Sequence, residues 1–290
     1  MDHINISPIE IDKNFILKHF PRRPNDSNKG SFGKLTLLTG SDKYRGAAHL
    51  SLAMALRAGA GITRFIGSGE LCSELRCVYP EAIYMPDISS ESATDILSSS
   101  DSFVIGCGSD ISESLADITV AAIRRAKGRA VIDADAINSI ARYRDATFLS
   151  TKDKSVILTP HPLELSRISG VAVEKINAER ISFAVEFARR YSITLLLKGY
   201  RTVITDGERV LINTTGNSAL SKGGSGDVLA GLIGSLCAHV SDPLTAAAIG
   251  AYLHGLAGDR LSVEYSTLGV TPSDLPSCVA RIMAEIESEL

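Results

Sequence analysis

The residues best suited to chemistry lie in the last third of the chain. There Asn213-Thr214-Thr215-Gly216-Asn217 is followed by Ser221-Lys222-Gly223-Gly224-Ser225-Gly226-Asp227 and an apolar run from Val228. A Gly-Gly-Ser-Gly turn feeding an apolar helix leaves several backbone N–H groups unhindered and, with the helix dipole, makes an anion site that fits phosphate. Asp227, in the first turn, admits two readings. It is a carboxylate that stabilises the dipole by about 0.3–1 kcal/mol, or a base that accepts the proton of an attacking hydroxyl while the amides hold the transferred charge. The glycine run favours the base. No GxxxxGK[ST] occurs, Gly30-Ser31-Phe32-Gly33-Lys34 precedes its strand, and no GxGxxG follows a first strand. Those absences disfavour a P-loop ATPase and a simple Rossmann dehydrogenase.

Such groups need a scaffold, and short apolar runs alternate here with longer helix-like segments. Runs at 34–40, 62–67, 102–108, 129–135, 155–160 and 193–199 end in Gly, Asp or Pro. Continuous apolarity suits strands buried on both faces of a mostly parallel sheet. Runs 201–205 and 209–214 flank Asp206-Gly207, which predicts a late antiparallel hairpin. Helices are predicted over 46–60, 113–127, 174–191, 225–240 and 243–262, apolar on more than one face, so both sides of the sheet are covered. The expected fold is α/β, a three-layer αβα sandwich. With no internal repeat or composition break, a polar lead over 1–28 and a single domain over 29–290 are expected.

In open parallel sheets ligands bind beyond the carboxyl ends of the strands. That rule singles out Thr39-Gly40-Ser41 with Gly46-Ala47-Ala48, then Gly106-Cys107-Gly108, Asp133-Ala134-Asp135, Thr159-Pro160-His161-Pro162-Leu163-Glu164 and Lys198-Gly199. His161 stands between two prolines, whose rigid backbone can aim it into the crevice. Asp133 and Asp135 stay open between site and structure, with Asp135 expected to cap the following helix. Cys107 reads as a strand-end residue, and His3, His19, His49, His239 and His254 lack metal-ligand spacing.

Composition narrows the class. With 290 residues, 44% of them hydrophobic, a large core forms without staples. Thirty basic against 33 acidic residues give a charge of −3, which argues against nucleic acid or a membrane surface and for small molecules or other subunits as partners. Five cysteines without CxxC spacing, and no signal-peptide pattern at the amino end, predict a reduced, cytoplasmic protein. The stretch Val228 to Ala238, interrupted by Gly231, Gly234 and Ser235, is too short to span a bilayer and reads as a buried helix.

Several blocks together resemble the NAD(P)H-hydrate dehydratase family, within the ribokinase-like superfamily. They are Lys29-Gly30 with Phe32-Gly33, Gly46-Ala47-Ala48, Asp133-Ala134-Asp135-Ala136-Ile137-Asn138, Thr159-Pro160-His161-Pro162, Lys198-Gly199 and the segment Gly216 to Gly231. The resemblance runs from about Lys29 to Ala257. It implies a ribokinase-like fold and repair of NADH or NADPH hydrated on the nicotinamide ring, using ADP or ATP. Hydroxide leaves poorly, so a phosphoryl group is first moved onto the ring hydroxyl and phosphate is then expelled, giving NAD(P)H, AMP and phosphate when ADP is the donor. By resemblance Asp227 is the catalytic carboxylate and the amides around Gly224, Ser225 and Gly226 hold the phosphoryl oxygens. Lys198, Gly199, Tyr200, Arg201, Thr202 and Gly226 match the nucleotide segment. Ala47 or Ala48, Gly108, His161 and Asp227 match positions facing the hydrated dinucleotide, and Asn217 is expected to line the same crevice.

Phosphoryl transfer implies Mg2+, with Glu164 the candidate to organise it through water, set equally against a role as a first-turn helix carboxylate. The resemblance also implies a homotetramer and, since only a short lead precedes the fold, an epimerase on a separate chain. Two departures stand out: Leu163 where the family usually has Gly, and Gly106-Cys107-Gly108 where it usually has Gly-Pro-Gly. Leu163 could narrow the dinucleotide pocket or point away. The alternatives are a ribokinase-like kinase of a small alcohol or vitamin precursor and a nucleotide-binding sensor without catalysis.

Overall fold

The computed structural model describes residues 6–150 and 155–290; His3 and the first residues of the lead lie outside them. The six apolar runs become strands, and the described residues hold one sheet: β1 (Ile9–Ile11), β2 (Lys34–Leu38), β3 (Ile62–Gly67), β4 (Ile83–Pro86), β5 (Ser102–Ile105), β6 (Arg129–Ile132), β7 (Val156–Leu158), β8 (Thr194–Leu197), β9 (Val203–Thr205) and β10 (Val210–Asn213). Their order is β1-β10-β9-β8-β7-β6-β5-β2-β3-β4, parallel except where β9 runs against both neighbours. The helices are α1 (Lys13–His19), α2 (Arg45–Arg57), α3 (Gly69–Val78), α4 (Ser90–Ser98), α5 (Glu113–Arg125), α6 (Ala134–Tyr143), α7 (Pro162–Ser169), α8 (Val173–Ala178), α9 (Arg180–Tyr191), α10 (Ser225–Cys237), α11 (Pro243–Gly269) and α12 (Leu275–Ser288).

Alternate residues of each central strand feed two cores. Val104 and Val131 face one, with side chains from α2, α10, α11 and α12. Phe103, Ile105, Ala130 and Ile132 face the other, with α4 to α9. Both faces are dry, so the central strands carry no polar alternation, and the three-layer sandwich with a late hairpin is what forms. Asp206 Oδ1 accepts the Glu208 and Arg209 N–H groups at 2.9 and 2.8 Å, which shapes the β9–β10 turn.

Differences from the sequence reading fall where local signals are weak. Within the lead, β1 pairs with β10, and Ile11 and Ile16 are fully buried. β1 and β4 are edge strands: β1 is three residues long and interrupted by Glu10, and β4, though apolar, is four residues long, ends in Pro86 and has no fully buried residue. The single helix predicted over 174–191 is two, α8 and α9, broken at Glu179 (φ −125°, ψ 40°). The helix predicted to end at 262 runs on to Gly269 through a non-helical Ser266.

Chain order reverses between β5 and β2, and a crevice opens beyond strand ends at such a switch point. Its loops are tied together: Gly40 N–H donates to Cys107 O at 2.6 Å and Gly106 N–H to Leu38 O at 3.2 Å. No helix among the described residues is long and apolar enough to cross a membrane, and Val228 to Cys237 is buried helix, as expected.

Candidate active site

Helix α10 begins at Gly224, whose φ of 100° and lack of any capping side chain leave the first-turn amides open. The positive φ is what requires glycine here, and a Cβ on Gly224 would in addition push on Leu50 Cδ1 at 2.5 Å. One residue into the helix, a Cβ on Gly226 would point at Lys198 Nζ (3.6 Å) and Asp133 Oδ2 (3.9 Å). The helix start therefore faces an ion pair delivered by two other strands.

Lys198, just past β8, places Nζ 2.8 Å from Asp133 Oδ1 and 3.6 Å from Glu164 Oε2. Burial alone would lower its pKa, but Asp133 and Glu164 outweigh burial and hold the ammonium above its ordinary value. Asp133, buried at the end of β6, also accepts from Thr159 Oγ1 at 2.8 Å. It stands at the N-cap position of α6 yet makes no capping bond. The expectation that Asp135 caps this helix is corrected: Asp135 lies inside the first turn, and its Oδ2 accepts the Asp110 N–H at 3.1 Å.

Asp227 is the carboxylate best placed to act as a base. Burial, then the negative charge of Asp133, push its pKa up to about 7, while Lys198 and a hydrogen bond from Cys107 act the other way. A base poised there is matched to neutral pH. Cys107 has no exposed surface; burial and then Asp133 push its thiol well above its usual value, so it is a protonated donor. Its Sγ lies 3.6 Å from Asp133 Oδ2.

His161 caps α7: its Nδ1 accepts the Glu164 N–H at 3.2 Å and Glu164 Oε2 accepts the His161 N–H at 2.8 Å. Burial, then Lys198, lower the imidazole pKa. Leu163, beside it, is exposed. Near the switch point a Cβ on Gly108, at φ 58°, would lie 2.7 Å from Ala47 Cβ, so a bare backbone lets α2 close against the loop after β5. Of the two alanines, Ala48 has no exposed surface, whereas Ala47 is half-buried and offers a side chain to the crevice.

A cavity of about 380 Å³ opens on the other side of Lys198. Lys198, Gly199, Tyr200, Arg201, Thr202, Ser225 and Gly226 line it, so the segment expected to bind nucleotide and the start of α10 share one space. Asn217 lines this cavity too, apart from Ala47, Gly108 and His161, and its amide donates to Asp259 and Ser262 at 2.8 and 2.9 Å. Arg201 pairs with Glu10 of β1, and Tyr200 is exposed at the rim.

Three further residues belong to this architecture. Asp133 anchors Lys198. Arg180 donates to the carbonyls of Leu197 and Lys198 at 3.1 and 3.3 Å and so holds the strand end that carries Lys198. His254, nearly buried in the cavity wall, has no partner for Nε2, and burial drops its pKa to about 4. Nothing local to Arg180 or His254 signals these roles, whereas the Asp-Ala-Asp block did point to Asp133.

Ligand-capable atoms of Cys107, Asp133 and Asp227 lie within 4.8 Å of one another. They do not suit magnesium, which takes oxygen ligands in octahedral geometry. One donor is a protonated thiol, and the Lys198 ammonium already neutralises Asp133. Glu164 is engaged by its cap, with Oε1 3.3 Å from His161 Nε2, which leaves it only water-mediated contact with a metal.

The profile of a family described as NAD(P)H-hydrate dehydratase matches residues 35–281. The ADP-dependent (S)-NAD(P)H-hydrate dehydratase of Bacillus subtilis is 35% identical over 272 residues, covering 92% of this chain and 95% of that one. A bifunctional NAD(P)H-hydrate repair enzyme of Moorella thermoacetica is 34% identical over 93% of this chain. The chain spans about half the length of such bifunctional relatives, 53% in that case. Among solved structures, the ADP/ATP-dependent NAD(P)H-hydrate dehydratase of Bacillus subtilis, co-crystallised with ATP/Mg2+, superposes with a TM-score of 0.88 at 30% identity, over 98% of this chain and 100% of that one.

Proposed function

The chain belongs to the NAD(P)H-hydrate dehydratase family, and on that premise we propose that it is an ADP-dependent (S)-NAD(P)H-hydrate dehydratase. The observation that carries this reading is a half-buried carboxyl, Asp227, poised near neutrality at an uncapped helix start that faces Lys198 across the cavity wall. ADP occupies the cavity along Lys198 to Thr202 with its terminal phosphate toward Gly226. The hydrated nicotinamide approaches from the switch-point crevice, past Ala47, Gly108 and His161. Asp227 takes the proton of the ring hydroxyl as its oxygen bonds to the terminal phosphorus of ADP, and the bond to the bridging oxygen breaks to release AMP. The amides around Gly224, Ser225 and Gly226, with the Lys198 ammonium, hold the phosphoryl oxygens. The ring nitrogen lone pair then expels phosphate, and loss of a proton from the neighbouring carbon restores the dihydronicotinamide.

Magnesium, in this reading, travels on the phosphates of the nucleotide and not in a cage of the protein. A homotetrameric, cytoplasmic enzyme is part of the same proposal, and light scattering of the purified protein tests the assembly. The function is tested by mixing protein, magnesium and hydrated NADH or NADPH with ADP or ATP in parallel and following reduced-nicotinamide absorbance. Recovery with ADP, accompanied by AMP, is the expected result. Recovery with ATP alone reassigns the donor. Nucleotide binding without recovery overturns the reading in favour of a small-alcohol kinase or a sensor.

A further inference from the structure

We infer that Asp133 is a positioning residue for this reaction: it holds the Lys198 ammonium beneath the first turn of α10 and sets a second negative charge against Asp227, which readies that carboxyl to act as a base. The inference rests on the dehydratase reading for its meaning, but its geometry stands by itself. An aspartate at an N-cap position ordinarily accepts from the first-turn amides, worth about 0.5–2 kcal/mol. Asp133 forgoes that bond and turns its carboxylate to Thr159 Oγ1 and Lys198 Nζ, each at 2.8 Å. The next residue, Ala134, is held at φ 46°, a left-handed conformation that an alanine adopts only under constraint. Local stability is thus given up twice, and what results is a buried carboxylate aimed into the site.

Its reach is independently visible from α10, because a Cβ built on Gly226 lies 3.9 Å from Asp133 Oδ2 and 3.6 Å from Lys198 Nζ. The groups that face Asp227 are Cys107 after β5, Asp133 and Asp135 at the β6–α6 junction, and Lys198 after β8. After burial, Asp133 is the largest influence that keeps the Asp227 proton on, while Lys198 and Cys107 favour ionisation. Replacing Asp133 by a neutral isostere removes the repulsion and frees Lys198 toward Asp227, and both changes ease ionisation.

The test uses the full chain with 13C-labelled aspartate carboxyls, Asp227 being identified by the signal missing from Asp227→Asn. In Asp133→Asn the Asp227 titration midpoint falls by about one pH unit or more, and ADP affinity measured by calorimetry weakens about tenfold as Lys198 loses its anchor. In the hydrate assay the acid limb of kcat moves down with the midpoint, and kcat falls more than KM rises. A purely structural role would lower thermal stability and leave the midpoint in place; a midpoint unchanged to within about 0.3 pH unit overturns the inference. Should Asp133→Asn fail to fold, Asp133→Ser removes the same charge in a smaller side chain. The carboxyl titration needs no turnover, so a wild-type protein inactive on the hydrate refutes the functional reading alone.

Discussion

Replacing Asp227 by asparagine should stabilise this protein at alkaline pH while abolishing its turnover. The carboxyl is shifted from 3.8 to about 7 in the folded chain, which at 1.36 kcal/mol per unit bounds its cost when ionised at about 4 kcal/mol. The sign follows from linkage. A raised carboxyl binds its proton more tightly in the folded state, so stability is full below about pH 4, declines as pH rises and is lowest above about pH 7. Asparagine keeps the shape and carries no charge, so the variant gains about 2–4 kcal/mol at pH 8 and less than half of that at pH 5. For a chain of this size the gain at pH 8 appears as a rise of about 4–8 °C in Tm. Calorimetric melts of both proteins at the two pH values, beside an assay in which turnover falls about 10²–10⁴-fold with ADP affinity kept, make the test. An equal gain at both pH values, or a loss at pH 8, would refute the claim that burial and Asp133 hold the proton on Asp227.

Three further outcomes follow from the same geometry. Lys198→Met leaves Asp133 and Glu164 buried without their cation, so it should cost about 3–5 kcal/mol in denaturant melts and weaken ADP binding at least about tenfold by calorimetry. Gly226→Ala meets no atom closer than 3.6 Å in the fold and suits a helix better than glycine by up to about 1 kcal/mol; Tm should hold or rise while the nucleotide KM climbs about tenfold or more, because the methyl enters the phosphate space. Arg180→Ala frees two carbonyls at the end of β8; steady-state kinetics should show the nucleotide KM raised several-fold with kcat little changed, and equal effects on both constants would argue against its positioning role.

The central strands were legible because β5, β6, β7 and β8 are dry on both faces and, past the polar first residues Ser102, Arg129 and Thr194, run apolar to their ends. The edges were not. β1 and β4 are short and expose residues to water, so neither carries the long dry run of a central strand, and pairing with β10 and β3 is what makes them strands. The break between α8 and α9 was hidden for a related reason: a single residue leaves helical geometry at Glu179 while the residues on both sides keep helical character.

For the site, the sequence by itself determined which atoms could take part. An open helix start at positive φ demands glycine at Gly224, and an aspartate in the first helical turn is a carboxylate near amides in any fold. These are constraints between neighbours in the chain, and such constraints are written in residue types. Tertiary structure decided what those atoms do. By residue type Asp133 and Asp135 are equal candidates for a helix cap, and only the arrival of Lys198 and Thr159 from other strands draws Asp133 into the site. The pKa of Asp227 depends on burial, on charges from two other strand ends and on the Cys107 thiol at a third, and Asn217 went to the wall of the cavity beside Lys198 because Asp259 and Ser262 of α11 hold its amide there. Local geometry depends on the nearest residues, whereas electrostatics in a dry interior is summed over every charge the fold brings close.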